Sequence, residues 1–165
     1  MDLASQDKDP DIRILALRLA RQTGTPLISV IEKMASDPSA KVRRECAVSL
    51  AYLRGPEKAK LWASLAMKHG AGDRWSLEAL GIAASGDWDS CLSSWLEKAG
   101  DNWNSDSGKD IIWRSRAKES ARLIAKILKD PNTLEKDRAR YFRALDFQSQ
   151  AEKEAALLDI LKENN

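Results

Sequence analysis

The dipeptide Asp-Pro recurs along this chain at intervals close to multiples of one length. It occurs at residues 9–10, 37–38 and 130–131. The first two dipeptides are 28 residues apart, and the last two are 93 apart, which is three times 31. An arginine and then small and apolar residues at helical spacing follow each dipeptide. In a Leu/Ala-rich chain, a period of about 30 residues predicts helical pairs stacked one on the next.

Composition agrees with this prediction. The chain has 165 residues, of which 43% are hydrophobic and 32% charged. Leu and Ala are abundant and Val is scarce, which favours helix over strand. No apolar run approaches the roughly 18 residues of a membrane span. We therefore expect an all-α protein, a right-handed superhelix of about five helical pairs in a single domain over residues 1–165.

Glycine and proline mark the expected joints between helices. Gly24 ends the first helix, Gly55 precedes Pro56, and a polar loop over residues 100–108 interrupts the period. The fourth pair can also form one long or kinked helix. The expected pairs are Asp11–Gln22 with Pro26–Ser36, Pro38–Leu53 with Pro56–Lys68, Asp73–Ala84 with Asp87–Ala99, Asp110–Ala117 with Lys118–Lys129, and Leu134–Phe147 with Ala151–Glu163.

A polar residue followed six positions later by arginine occurs near the start of three repeats: Asp7 and Arg13, Asp37 and Arg43, and Asn132 and Arg138. This pattern resembles the HEAT repeat family. The resemblance implies a structural ladder in which the acid of one repeat bonds the arginine of its neighbour. Arg74 and Arg114 keep the arginine position in repeats three and four, but Lys68 and Gly108 replace the acid. We expect a less regular stack there.

Three longer motifs narrow the resemblance. They are DRWSLEALGI at residues 73–82, DIIWR at 110–114 and RARYFRALDF at 138–147. In this order they resemble the helical-repeat region of large bacterial multidomain proteins described as membrane-bound dehydrogenases or haem-binding proteins. Those proteins carry an N-terminal β-propeller, HEAT-like repeats and a c-type cytochrome domain. The resemblance covers residues of about 37 to 160.

This resemblance implies that the chain is a fragment of a larger periplasmic or cell-envelope protein. The propeller and the CxxCH haem motif of the family are absent from the sequence. We therefore expect a non-catalytic scaffold without a cofactor of its own, which positions the dehydrogenase and cytochrome domains. Its expected partners are protein domains of the same parent chain.

Two interpretations of the aromatic and basic residues are open. One is a groove that binds a partner, because Trp, Tyr and Arg are enriched at binding hot spots. The other places Trp75 in the core with Leu77 and Leu80, with Asp73 as a helix cap. Among the six tryptophans, Trp88 and Trp103 have the polar neighbours expected of partly exposed residues. The candidate partner-binding residues are Arg74, Trp75, Trp113, Arg114, Arg138, Arg140 and Tyr141.

Catalytic and metal-binding patterns are not found in the sequence. The single histidine, His69, precedes Gly70 at an expected helix end, and there is no HExxH, phosphate loop or Cys/His cluster. Cys46 and Cys91 lie on expected helices, where we predict buried free thiols. We therefore predict no catalytic residue and no metal site.

The alternative function is a nucleic-acid enzyme. Residues 109–143 carry eleven Lys/Arg and five Asp/Glu. HEAT-like DNA glycosylases that remove alkylated bases use a basic concave face with tryptophan and a carboxylate, and Trp113, Trp75 and Asp73 could serve in that way. The net charge of only +2 argues against it, because DNA binding depends on many phosphate contacts. Nucleic acid is therefore the less favoured partner.

Overall fold

The regular elements of this protein are helices. The computed structural model describes residues 2–162, with side chains from residue 4 onward, and it contains no β-strand in that range. The all-α prediction is confirmed. The helices are α1 (Asp2–Ser5), α2 (Pro10–Gln22), α3 (Leu27–Met34), α4 (Ala40–Leu50), α5 (Pro56–Ala66), α6 (Arg74–Ala84), α7 (Trp88–Ala99), a 3-10 helix (Gly100–Asn104), α8 (Asp106–Arg114), α9 (Ser120–Lys129), α10 (Glu135–Leu145) and α11 (Gln150–Lys162).

The chain divides after Gly100 into two compact units. In the first unit, α2 packs on α4 and α4 on α6, while α3 packs on α5 and α5 on α7. In the second unit, α8 packs on α10 and α9 packs on α11. Within each unit, helices two positions apart therefore pack on each other, and side chains between these helices form the core.

The recurring Asp-Pro dipeptides form the same local turn. The carboxylate of Asp9 accepts a hydrogen bond from the N–H of Asp11 at 2.8 Å. The carboxylates of Asp37 and Asp130 accept in the same way from the N–H groups two residues later, at 2.8 and 2.9 Å. Proline has no N–H to offer, so the aspartate bonds the next one and turns the chain. In the first two cases the turn leads into a helix, which begins at Pro10 and at Ala40.

Two arginines 30 positions apart make the same pair of bonds to the turn before their own helix. Nη1 of Arg13 donates to the carbonyls of Asp7 and Lys8 at 2.7 and 3.1 Å. Nη1 of Arg43 donates to the carbonyls of Asp37 and Pro38 at 2.7 and 2.9 Å. In each case the acceptors lie six and five residues before the arginine, so these two segments, 30 residues apart in the sequence, make equivalent local contacts.

Most helix boundaries lie within a few residues of their predicted positions. Gly55 has φ of 97°, a left-handed conformation that glycine adopts without strain, and Pro56 begins α5 as predicted. A capping box begins α11, since the side chains of Ser149 and Glu152 accept hydrogen bonds from each other's backbone N–H groups. Glu163, the predicted end of α11, lies outside the described residues.

The polar segment over residues 100–108 was wrongly predicted to be a loop throughout. Residues 100–104 form a 3-10 helix, and α8 begins at Asp106 rather than at Asp110. The hydroxyl of Ser105 accepts a hydrogen bond from the N–H of Gly108 at 3.2 Å and caps the helix. Ser, Asp, Ser and Gly are typical of a loop, but the same residues form a helix start when the first serine is the N-cap.

A long helix over residues 110–129 is excluded, because α8 ends at Arg114 and α9 begins at Ser120. The buried Ser115 hydroxyl accepts from Ser120 Oγ at 2.7 Å and from the N–H of Ala117 at 3.2 Å. Nη1 of Arg116 donates to the carbonyls of Arg114 and Ser115 at 2.9 and 2.8 Å. These bonds satisfy backbone groups at the helix end and keep the two helices separate.

Both cysteines are buried free thiols, as predicted. Burial raises the pKa of Cys46 and of Cys91 to about 12. Since the thiolate is the reactive form, we expect neither thiol of the folded protein to react with Ellman's reagent at pH 8, and both to react once the protein is unfolded in guanidinium. A thiol that reacts fully before the loss of circular dichroism would contradict this burial.

Candidate interaction surface

Trp75, in the first turn of α6, has a largely exposed side chain. The indole is 71% exposed, whereas Leu77 and Leu80 are buried. Each helical residue rotates the side chain by about 100°, so Trp75 lies on the face opposite Leu77. Ile82, two turns after Trp75 and on the same face, is 50% exposed. The interpretation of Trp75 as a core residue is therefore wrong.

Asp73 fixes the start of α6 and thereby the position of Trp75. As predicted, its carboxylate caps the helix by accepting from the N–H of Ser76 at 3.1 Å. Arg44 Nη1 lies 3.9 Å from the same carboxylate. Partial burial acts to raise the pKa of Asp73, but the hydrogen bonds from Ser76 and the charge of Arg44 outweigh it and hold this pKa below its ordinary value.

Positive charge surrounds this helix start. Arg43, Arg44, Lys68 and Ser76 line one shallow cleft beside α6. Lys68 is exposed, and so is Arg74 next to the indole. The carboxylate of Asp73 is already engaged by the helix N–H, so this surface combines an exposed indole with an excess of cations.

The candidate residues of the second unit form an internal cluster. Arg140 Nη2 donates to Asp110 at 2.5 Å, and its guanidinium carbon lies 4.5 Å from the Trp113 ring centroid and 5.7 Å from that of Tyr141. Tyr141 is only 5% exposed, and burial raises the pKa of its phenol. Tyr141 cannot serve as a contact surface, because packing of α10 against its neighbours covers the ring.

The remaining candidate residues are also engaged within the second unit. Arg138 Nη1 donates to the carbonyl of Leu128 at 2.6 Å, and Arg138 Nε lies 3.2 Å from Glu135. Trp113 and Arg114 are half-buried. Arg74 and Trp75 belong to the first unit and the other five residues to the second. The two exposed members of the predicted set are thus Arg74 and Trp75.

The residues of the expected ladder make contacts of several different kinds. Arg13 forms a bidentate pair with Asp37, at 2.7 Å from Nε and 2.8 Å from Nη2. Asp7 instead accepts from the N–H of Asp9 at 2.8 Å, within its own turn. Asn132 donates to Asp130 through both its backbone and its side-chain nitrogen. Arg138 bonds to the carbonyl of Leu128 and to Glu135, as described above, and not to Asn132.

Other ion pairs between stacked helices had not been foreseen. The fully buried Lys58 of α5 pairs with Asp87 at the start of α7 at 2.5 Å. Arg21 of α2 pairs with Glu45 of α4 at 3.0 Å, and Lys129 of α9 with Asp159 of α11 at 2.9 Å. Two of these pairs are separated by about 30 residues: 29 for Lys58 and Asp87, and 30 for Lys129 and Asp159. A search for opposite charges at that spacing would have found these two.

Acid should weaken the bidentate pair between α2 and the turn before α4. Burial acts to raise the pKa of Asp37, but hydrogen bonds from Arg13 and from the N–H of Ser39 outweigh it and lower this pKa below the ordinary value. The folded state therefore holds that proton less tightly than the unfolded state. The contribution of Asp37 to stability is present above about pH 4 and is lost as the pH falls below it.

We expect Asp37→Asn to reduce this acid-dependent loss of stability. Urea unfolding of the wild type and the variant between pH 6 and pH 3 measures the effect, and the two should converge at low pH. Asp11→Asn is the matched control, because Asp11 is exposed and its contact with Lys41 is 3.8 Å long. Parallel curves for wild type and Asp37→Asn would contradict the role of this pair.

Basic residues of segment 109–143 line a groove between α9 and α11. The groove is about 470 Å³ in volume, with Lys118, Arg122, Lys126 and Lys129 beside a floor of Ala121, Ala155 and Ala156. Several cations of this segment are held by neighbouring groups: Arg122 by Glu119, Lys129 by Asp159 and Arg140 by Asp110. Glu152 and Asp159 also line the groove, so its charge is mixed.

Among the side chains of residues 4–162, no group of His, Cys, Asp and Glu is arranged to hold a metal ion. His69 is buried just after the end of α5. Among the helices of residues 2–162, none has the length and apolar character needed to cross a lipid bilayer. No protein-family model, curated protein or solved structure matches this chain.

Proposed function

We propose that this chain is a non-catalytic helical-repeat scaffold that binds protein domains through the surface around Trp75. The observation that carries the proposal is the 71% exposure of that indole at the start of α6. An exposed tryptophan leaves a large apolar area in water, and tryptophan is among the residues that contribute most to protein interfaces. Ile82 extends the apolar surface along the same face of α6.

The proposed architecture is a right-handed, HEAT-like stack of about five helical pairs. It is supported by the contacts between helices two positions apart within each unit. The equivalent bonds of Arg13 and Arg43 to the turns before their helices also support it. Stacked pairs expose extended faces rather than enclosed cavities, and such faces suit the binding of other proteins.

The proposed partners are the neighbouring domains of a larger bacterial protein of dehydrogenase and cytochrome type, located in the periplasm or cell envelope. This part of the proposal rests on the resemblance of residues 73–82, 110–114 and 138–147. In this arrangement the neighbouring domains carry the redox chemistry. The helical segment, without a cofactor of its own, sets their separation and orientation.

A nucleic-acid function, such as removal of alkylated bases, is the alternative. The row of cations in the groove between α9 and α11 favours it. The ion pairs of Arg122, Lys129 and Arg140 reduce the charge available to phosphates. The guanidinium of Arg140 also covers one face of the Trp113 ring, which leaves less of it for stacking on a base. The scaffold is therefore the better supported function.

Photo-crosslinking from the same face of α6 tests the scaffold function. We expect p-benzoylphenylalanine at Ile82 to form an adduct with a protein in an extract of the producing organism, and the same group at the exposed Glu97 of α7 to form none. Excess wild-type chain should suppress the adduct. The Trp75→Ala variant should suppress the adduct to the same extent only at about tenfold higher concentration, which is the loss of affinity expected for a moderate hot-spot residue.

Titration with fluorescent duplex DNA over a salt series distinguishes the alternative. No binding at low salt is expected of the scaffold. Tight binding that weakens steeply with salt would indicate phosphate contacts and would overturn the proposal. An adduct at Ile82 that the wild type and Trp75→Ala suppress equally well would also contradict it, because the indole would then have no part in binding.

A further inference from the structure

We infer that the partner segment bound at Trp75 is acidic, which deepens the proposed function and rests on it. Arg43, Arg44 and Lys68 line the cleft that reaches Ser76, the residue next to Trp75. Arg74 precedes the indole and is exposed. The surface around the apolar anchor is thus cationic and complements a segment whose own apolar residue is flanked by carboxylates.

The carboxylates of α6 and its N-cap, those of Glu78 and Asp73, number two against the four cations and do not cancel their charge. Asp73 is engaged as the cap of α6 through the N–H of Ser76. Arg44 is 3.9 Å from it, beyond hydrogen-bonding distance, and 30% of the Arg44 side chain is exposed. A partner carboxylate can therefore approach Arg44 and Lys68 while Asp73 remains in place.

A protein segment fits this surface better than a nucleic acid does. The cations form a compact group at one end of α6, whereas a phosphate backbone needs a row of them. Residues 1–100 carry 14 Lys/Arg and 13 Asp/Glu, so the first unit as a whole has little net charge. Local charge of this kind selects a partner and speeds its encounter, while the indole supplies most of the affinity.

Selection from a displayed library of 12-residue peptides tests the inference, with the intact chain as target. We expect peptides that bind the wild type but not Trp75→Ala, that are enriched in Asp and Glu around an apolar residue, and that bind more weakly as salt rises. The double variant Lys68→Glu/Arg74→Glu should bind these peptides at least tenfold more weakly and with less dependence on salt. Lys60→Glu/Lys98→Glu, with the same change in net charge on exposed residues of α5 and α7, should bind them like the wild type.

The outcomes separate the inference from the function on which it rests. Peptides that depend on Trp75 but are neutral or basic would overturn the acidic partner and leave the scaffold function standing. Equal weakening by both charge-reversed variants would also overturn it, since the effect would then reflect net charge alone. Failure to find any peptide that depends on Trp75 would count against both. If a single-stranded oligonucleotide binds the wild type but not Trp75→Ala, the partner at this surface would be a nucleic acid rather than an acidic protein segment.

Discussion

Replacement of Gly108 by alanine should destabilise the second unit by about 3 kcal/mol, the upper end of the cost of forcing an extra methyl into a packed site. A Cβ built on Gly108 lies 2.1 Å from the carbonyl oxygen of Trp103 and 2.7 Å from its carbonyl carbon. These atoms belong to the backbone of the preceding 3-10 helix and cannot rotate away. Relief of the clash requires this turn to separate from the first turn of α8.

Helix propensity predicts the opposite sign for the same change. Gly108 lies inside α8, where alanine is favoured over glycine by up to about 1 kcal/mol. A loss of stability would therefore show that the steric clash outweighs helix propensity, and a gain would show the reverse. Thermal unfolding followed by circular dichroism should show a midpoint lowered by roughly 12 to 24 °C for a cooperative unit of this size.

Gly70→Ala is the matched control for this prediction. A Cβ at Gly70 has no atom within 4 Å, and the backbone there is not left-handed. We expect its stability to stay within about 0.5 kcal/mol of the wild type. A Gly108→Ala protein that is as stable as Gly70→Ala would show that the backbone of Trp103 does not approach α8 in solution.

Gly108 also shows why local composition misled the prediction of the fourth repeat. A glycine stands where the expected HEAT-like pattern has an acid, and a larger side chain at this position would clash with the backbone of Trp103. The run Ser105 to Gly108 reads as a loop by composition. The hydrogen bond from the Gly108 N–H to the Ser105 hydroxyl makes this run a helix start instead. A serine three residues before the N–H that it caps is a known signal of a helix start, and the sequence contains it.

The helical phase was a better guide to burial than residue type. Leu77 and Leu80 are three residues apart on the core side of α6, and this spacing excludes Trp75 from that side. In α10, Tyr141 shares the buried face with Ala144 and Leu145. Residue type leaves Trp75 open between the core and a partner contact, and it places Tyr141 among the partner-binding candidates. The spacing of their neighbours predicts an exposed Trp75 and a buried Tyr141.

The spacing of opposite charges indicates which distant residues can pair, but it does not predict which of them are buried. The pair Arg13–Asp37 joins two positions that the repeat spacing had singled out. Lys58 lies in the sequence Pro-Glu-Lys-Ala-Lys, which reads as a hydrated helix start. Its burial depends on the packing of α7 against α5, and no pattern within α5 itself reports that packing.

Asp87→Asn should cost about 2 to 3 kcal/mol of unfolding free energy, because it leaves the ammonium of Lys58 buried without a counter-charge. The Lys58 side chain is 1% exposed and that of Asp87 29%. Breaking a fully buried pair costs roughly 3 to 5 kcal/mol, and we expect less here because water reaches the aspartate. The loss of a helix cap does not contribute, since the Asp87 side chain makes no capping hydrogen bond to α7.

Lys58→Met should have a much smaller effect than Asp87→Asn, within about 1 kcal/mol of the wild type. Methionine keeps an unbranched apolar stem in the buried space and removes the charge that needs a partner. The carboxylate left behind borders a groove of about 430 Å³, where it can be hydrated. Urea unfolding of both single variants and of Lys58→Met/Asp87→Asn measures this asymmetry, and the double variant should resemble Lys58→Met.

The difference between wild type and Asp87→Asn should also depend on pH. The hydrogen bond from Lys58 holds the pKa of Asp87 below its ordinary value, so the folded protein binds this proton less tightly than the unfolded chain. The stability supplied by the carboxylate is therefore present above about pH 4 and is lost as the pH falls below it. If Lys58→Met instead proves as costly as Asp87→Asn, and both costs persist at pH 3, the packing of these side chains rather than their charge would stabilise the contact between α5 and α7.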